Sequence, residues 1–182
     1  MNPRTSLSHP LLIATLPIGN GAIGVTFCPG KRSDSLLGAR WDRDLEIDLN
    51  AIERWGASSI VTLVESHEMQ SLGVPNLGAR VMARGIAWYH LPIVDVTPPD
   101  EAFGKAWPAV AAQLCSSIRN GQRVLVHCKG GLGRAGTVAA CLLIELGIDP
   151  QEAIARVRGA RPGAIETQDQ ESYVLNHLGS KP

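Results

Sequence analysis

Short apolar runs alternate along this chain with longer stretches in which apolar residues recur every three or four positions. Val124, Leu125 and Val126 form a continuous apolar run that fits a strand buried on both faces. From Thr137 to Leu146 the chain is apolar nearly all round, the pattern of a helix inside a core. Leu45, Leu49, Ile52 and Trp55 instead mark one face of an amphipathic helix. Gly19-Asn20-Gly21 separates two apolar runs and reads as a turn joining two strands. Asp149-Pro150 offers an N-cap followed by proline at the first helical position. Strands are predicted at 11–16, 22–27, 59–64, 86–91 and 123–127, and helices at 43–56, 74–84, 101–120, 135–147, 150–159 and 168–178. Strands alternating with helices predict an α/β sheet covered on both faces, with parallel pairing and right-handed crossovers for much of it.

Composition narrows the class. At 182 residues the chain fits one domain with a sizeable core, and no repeat, low-complexity tract or charge block suggests an interior boundary. A single domain over 1–182 is expected, with 1–9 and 180–182 as loose ends. Lysine plus arginine equals aspartate plus glutamate, so nothing pulls the protein toward nucleic acid or a membrane. Leu11 to Phe27 follows Arg4 and loosely resembles a signal peptide. Pro17, Gly19, Asn20, Gly21 and Gly24 interrupt it, so no targeting or spanning segment is expected. Cys28, Cys115, Cys128 and Cys141 form no CxxC pair and no ligand spacing with histidine. His9, His67, His90 and His177 make no readable metal set either. Neither metal nor cofactor is expected, and a reducing cytoplasmic setting fits the free thiols.

The chemistry concentrates between the two most apolar segments, where residues 127 to 134 read HCKGGLGR. Cys128 closes the strand, the loop of Lys129, Gly130, Gly131, Leu132 and Gly133 bends, and Arg134 opens the helix. Glycines permit positive φ and close approach, so successive amides can converge on one point at a helix N-terminus and bind an anion. A helix N-terminus with nearby cations lowers a thiol pKa from about 8.5 to roughly 3.5–7.5, which makes Cys128 the expected nucleophile. Arg134 supplies a planar, permanently charged fork for two phosphoryl oxygens. A buried cysteine beside a tight turn is the plainer reading of Cys128. Strand, thiol, glycines, arginine and helix in this order favour the reactive one.

HCKGGLGR resembles the HCxxGxxR signature of the cysteine-dependent protein tyrosine and dual-specificity phosphatases, and the likeness runs from about Leu12 to Leu178. Phe27-Cys-Pro-Gly-Lys31, Pro92-Ile-Val-Asp-Val-Thr-Pro98 and Gly163-Ala-Ile-Glu-Thr167 are most similar to the kinase-associated phosphatase branch. The resemblance implies a central mixed, largely parallel sheet of about five strands flanked by helices. It also implies hydrolysis of phosphomonoesters through a cysteinyl-phosphate.

Such a reaction needs a carboxylic acid outside the loop to protonate the leaving oxygen. Asp95 and Asp100 both lie in the proline-rich link after the 86–91 strand, where catalytic groups gather in α/β folds. Asp100 precedes a predicted helix and is an N-cap candidate. The placement of Asp95 in PIVDVTP matches the family's mobile acid loop. Gln170 has two roles open. The resemblance makes it the residue that aligns the hydrolytic water, while Thr167-x-x-Gln170 is also a capping box. His127 is either a packed residue or, by the resemblance, a support for the loop. Lys129 is either solvated or draws an anionic substrate, as its counterpart does in phosphoinositide phosphatases. The family usually places Ser or Thr after the arginine, to stabilise the departing thiolate, and this chain has Ala135. A slowed second step is therefore expected.

These readings converge on a metal-independent phosphoprotein phosphatase whose partner is a phosphorylated protein, a kinase among the possibilities. Three alternatives stay open: a phosphoinositide or other small phosphomonoester phosphatase, a rhodanese-like sulfurtransferase or arsenate reductase, and a non-catalytic phosphoprotein-binding module.

Overall fold

The computed structural model describes residues 2–34 and 39–179. Among the described residues there are seven strands and seven helices. They are β1 (Ala14–Ile18), β2 (Gly21–Phe27), β3 (Arg32–Ser33), β4 (Trp41–Asp42), α1 (Leu45–Trp55), β5 (Ala57–Thr62) and α2 (Ser66–Ser71). There follow α3 (Leu77–Met82), β6 (Ala87–His90), α4 (Glu101–Arg119), β7 (Arg123–Cys128), α5 (Gly133–Glu145), α6 (Pro150–Ala160) and α7 (Gln168–Leu175).

Five strands form one sheet in the order β1-β2-β7-β5-β6, parallel except for the antiparallel edge strand β1. β7 lies at the centre, and its register sets Phe27 beside Cys128 on one side and Thr62 beside His127 on the other. Alternation along β7 divides the core. Val124, Val126 and Cys128 face the helices α4 to α7, and Leu125 faces α1, α2 and α3. Leu49, Ile52, Met69, Leu77 and Val81 cover the second face. On the first, α5 is buried at every residue from Gly133 to Ile144, as its all-round apolar sequence predicts. This places the N-terminus of a core helix directly beyond the C-terminal end of the central strand.

The β1–β2 hairpin closes on Gly19 and Asn20, with Ile18 opposite Gly21 and Gly19 at φ 56°. β1 extends through Pro17, which the sequence treats as a break. As an edge strand it tolerates a residue without an N–H. Asp100 caps α4 and Asp149 caps α6 through their carboxylates, as expected.

Three features depart from expectation. α2 was not predicted, and the helix expected over 74–84 is limited to Leu77–Met82. α2 carries no long apolar stripe; a capping box between Glu65 and Glu68 starts it. The two-residue strands β3 and β4 are too short for any periodicity. Residues 2–9, expected to be loose, are docked. The Arg4 amide donates to the Arg40 carbonyl at 2.8 Å, Asp42 N donates to the Arg4 carbonyl at 3.1 Å, and buried Ser6 bonds the Asp44 backbone. Backbone pairing of this kind leaves no mark in composition. The C-terminal end expected over 180–182 lies outside the described residues.

Candidate active site

Cys128 ends β7 and is nearly buried, with 3% exposure, packed against the first core face on one side and meeting polar groups of the loop on the other. Its Sγ accepts the Gly131 amide at 3.2 Å, and the charges of Arg134 and Lys31 both fall on it. Gly131 sits at φ 69°, and a Cβ there would overlap the Thr26 and Phe27 backbone of the neighbouring strand. The loop can press against β2 only because that residue is glycine. From outside, Arg161 donates to the carbonyls of Gly131 at 3.1 Å and Gly130 at 3.3 Å. Every peptide described is trans, so a carbonyl turned outward leaves the following N–H turned inward. The Gly131 amide on Cys128 Sγ is one result. Gly133 N donates to the Glu166 carboxylate at 2.8 Å, which compensates the positive N-terminal end of α5.

Arg134 is 1% exposed and held on one edge by Glu68, at 2.6 Å through Nη1 and 3.0 Å through Nη2. Nη1 also donates to the Ile93 carbonyl at 2.9 Å, which fixes the plane of the fork. Its other edge, Nε with Nη2, is different. Nη2 meets Asp95 Oδ1 at 2.9 Å, and Nε is buried with no partner. A buried donor left unpaired costs about 1–3 kcal/mol, so this edge is built for an acceptor that arrives from outside.

Asp95 is half exposed and accepts the Val96 amide at 3.1 Å. Val96 at φ 58° and Ile165 at φ 60° are the described non-glycine residues with positive φ. Both are β-branched and each flanks a carboxylate of the site, Asp95 and Glu166, so both loops hold backbone strain where the chemistry is expected.

His127 is fully buried and bonds Thr62 Oγ1 through Nε2 at 2.8 Å. The same hydroxyl accepts Trp88 Nε1 at 2.8 Å, so Thr62 joins the His127 ring to β6. Burial, aided by the charges of Arg134 and His90, pushes the His127 pKa down to about 3. The ring is neutral and structural, a spacer between β5 and the loop.

Gln170 forms the capping box expected of Thr167-x-x-Gln170. Its Oε1 accepts the amides of Glu166 and Thr167, and its Nε2 donates to the Thr97 carbonyl at 3.2 Å. Both acceptor positions are taken, so towards a water Gln170 has one N–H left to give. The Thr97 bond ties the start of α7 to the Asp95 loop. Lys129 is exposed beside the loop. Ala135 is buried and brings no hydroxyl, while Thr137 Oγ1 donates back to the Gly133 carbonyl at 2.9 Å.

Sequence reasoning brought Cys128, Arg134 and Asp95 to one place and missed Glu68, Arg161 and Glu166. Glu68 had one signal, the Glu65-x-x-Glu68 capping pattern, whereas Arg161 and Glu166 reach the loop through folding alone. Among the described residues no group of three or more His, Cys, Asp or Glu could hold a metal ion. Among them, too, no helix is long and apolar enough to cross a membrane. What the site can do is hold a tetrahedral dianion between loop amides and the Arg134 edge, with a thiol beneath it and a carboxyl at its mouth.

Residues 42–174 match the family model described as a Swiss Army Knife protein, DSP-PTPase phosphatase domain. Cyclin-dependent kinase inhibitor 3 of Rattus norvegicus is 32% identical over 179 residues, covering 94% of this chain and 81% of the relative. Protein tyrosine phosphatase type IVA 3 of Homo sapiens is 38% identical over 85 residues, 46% of this chain and 48% of that one. Among solved structures, kinase associated phosphatase carrying a serine in place of its catalytic-site cysteine superposes with a TM-score of 0.79 at 30% identity. The match covers 91% of this chain and 92% of that one.

Proposed function

Because the chain belongs to the cysteine-dependent protein tyrosine and dual-specificity phosphatase family, we propose that it dephosphorylates phosphoproteins through a phosphocysteine at Cys128. Cys128 Sγ attacks phosphorus as the bond to the leaving oxygen breaks, and Asp95 gives that oxygen its proton. Water then attacks the phosphocysteine, Asp95 takes the water's proton, and the S–P bond breaks to return the thiolate and release inorganic phosphate. Arg134 and the inward amides hold the equatorial oxygens in both steps.

The observation that carries this reading is the Nε–Nη2 edge of Arg134, with one buried donor unpaired and the other lent to Asp95. A phosphoryl group that takes this edge displaces Asp95 from Nη2. The same arrival frees the carboxyl that the leaving group needs. Lys129, exposed at the rim, adds charge for an anionic substrate without touching the fork. Ala135 offers no hydroxyl to the departing thiolate, so the second step limits turnover.

The substrate is a protein phosphorylated on tyrosine and/or serine/threonine, and the names of the relatives direct the search to kinases. Phosphate release from phosphotyrosine, phosphothreonine and phosphoserine peptides and from inositol phosphates tests the proposal, with Cys128→Ser as the blank. The expected result is release from the peptides by wild type alone. Sulfur transfer from thiosulfate without phosphatase activity would overturn the reading, as would equal binding and no turnover in both proteins.

A further inference from the structure

Lys31 takes no part in the mechanism above, yet it is a nearly buried cation lying against the phosphate loop. It ends the turn Cys28-Pro29-Gly30-Lys31 that leaves β2 beside Cys128, and it is 7% exposed. Gly30 N donates to Asp48 at 2.8 Å and Lys31 N to the Cys28 carbonyl at 3.4 Å, so the turn is fixed at both ends. No described carboxylate lies within ion-pairing distance of its ammonium; Asp48, the buried acid nearby, is engaged by Arg43 at 2.8 Å. The charge is held instead between the rings of Phe27 at 4.7 Å and Trp41 at 4.6 Å. Its one hydrogen-bond acceptor is the Lys129 carbonyl at 3.2 Å, which Cys28 N also approaches at 3.5 Å.

We propose that Lys31 is a positioning residue for the phosphate loop: by holding the Lys129 carbonyl outward, it turns the Gly130 amide toward the anion. The argument is one of peptide geometry. Lys129 C=O and Gly130 N–H belong to one trans unit and point in opposite directions. Arg161 holds the next two carbonyls in the same way, and the Gly131 amide that results is seen on Cys128 Sγ. Two cations thus set three successive peptides. Arg161 bears on the later two, and Lys31 controls the one next to the nucleophile.

Lys31 also titrates in an accessible range. Burial is the largest influence and lowers its pKa to about 8; Arg43 and Lys129 act in the same sense, while Cys28 and Cys128 oppose them. The ammonium is charged below that value, so its charge-assisted bond is present at neutral pH and weakens as pH rises through about 8. This inference rests on the reading of 128–134 as a phosphate loop, and the test separates the two.

Tungstate, whose charge does not change in this range, serves as the oxyanion probe beside aryl phosphate hydrolysis. Lys31→Met keeps most of the apolar stem and removes the charge, and it is expected to lose about tenfold or more in both tungstate affinity and kcat/KM. Lys31→Arg is expected to stay near wild type at pH 7. Wild-type tungstate affinity falls as pH rises through about 8, and Lys31→Arg removes that fall. An active wild type with a Lys31→Met variant equal to it on both measures overturns the role of Lys31 alone. So does a flat wild-type tungstate profile, which decides the matter even if neither variant folds. A wild type that hydrolyses no phosphomonoester overturns the underlying reading instead.

Discussion

Replacing Glu68 tests how the Arg134 fork is held. Glu68 is buried at 7% exposure and gives Arg134 two charge-assisted bonds at 2.6 and 3.0 Å. Without the carboxylate, the guanidinium keeps only the Ile93 carbonyl and the half-exposed Asp95. Removing one partner of a buried pair costs about 3–5 kcal/mol, the expected loss for Glu68→Ala. Glu68→Gln keeps one acceptor and should lose about 1.5–3 kcal/mol. A fork no longer fixed in its plane misplaces the phosphoryl group, so kcat/KM should fall about a hundredfold in either variant. The pH dependence has a definite sign. Burial, the largest influence, raises the Glu68 pKa. The Arg134 hydrogen bond, the Glu65 amide and the charges of Arg134 and Lys129 outweigh it, so the net shift is downward from 4.5. A carboxyl depressed in the folded state stabilises above its unfolded pKa. The gap between wild type and Glu68→Gln should therefore be full at pH 7 and shrink as pH falls below about 4.5. Urea unfolding across pH, with aryl phosphate kinetics, measures both. A Glu68→Gln variant within about 0.5 kcal/mol of wild type would refute the reasoning, because changes of that size are ordinary for surface sites.

Three further substitutions address the loop and the acid. Ala135→Ser should raise steady-state turnover and shrink the product burst in rapid mixing; unchanged turnover and no burst in wild type would exclude a slow second step. Asp95→Asn should lose about 10²–10⁴-fold on phosphothreonine peptides and much less on an activated aryl phosphate. It should also bind tungstate more tightly, since Nη2 is released from a carboxylate, and weaker binding would contradict the displacement of Asp95 by substrate. Gly131→Ala places a side chain against the Thr26 backbone at φ 69° and should cost about 1–3 kcal/mol from backbone strain alone, with hydrolysis lost. Retained activity in that variant would mean the loop does not need to press on β2.

What could be read from the chain follows from how local each signal is. Cys128, the glycines and Arg134 are contiguous, and the flanking runs Val124–Val126 and Thr137–Leu146 announce their strand and helix, so this part was legible. Asp95 came from the resemblance, and the ion pair with Arg134 now gives it a place in the site. Glu68 and Arg161 lie 66 and 30 residues from their partners, and such pairings depend on packing that no window of sequence contains. The docking of residues 2–9 and the β3–β4 pair rests on backbone bonds indifferent to side-chain type. Gln170 shows the reverse case, where one motif encoded a cap that the fold uses in full.

The most direct test traps the covalent intermediate. Wild-type protein is mixed with an aryl phosphate, quenched in acid within the burst, digested and weighed by mass spectrometry. One phosphoryl group on the peptide containing Cys128, and none in Cys128→Ser, is the predicted result. An unmodified Cys128 peptide during active turnover, or wild-type hydrolysis by Cys128→Ser, would contradict the account.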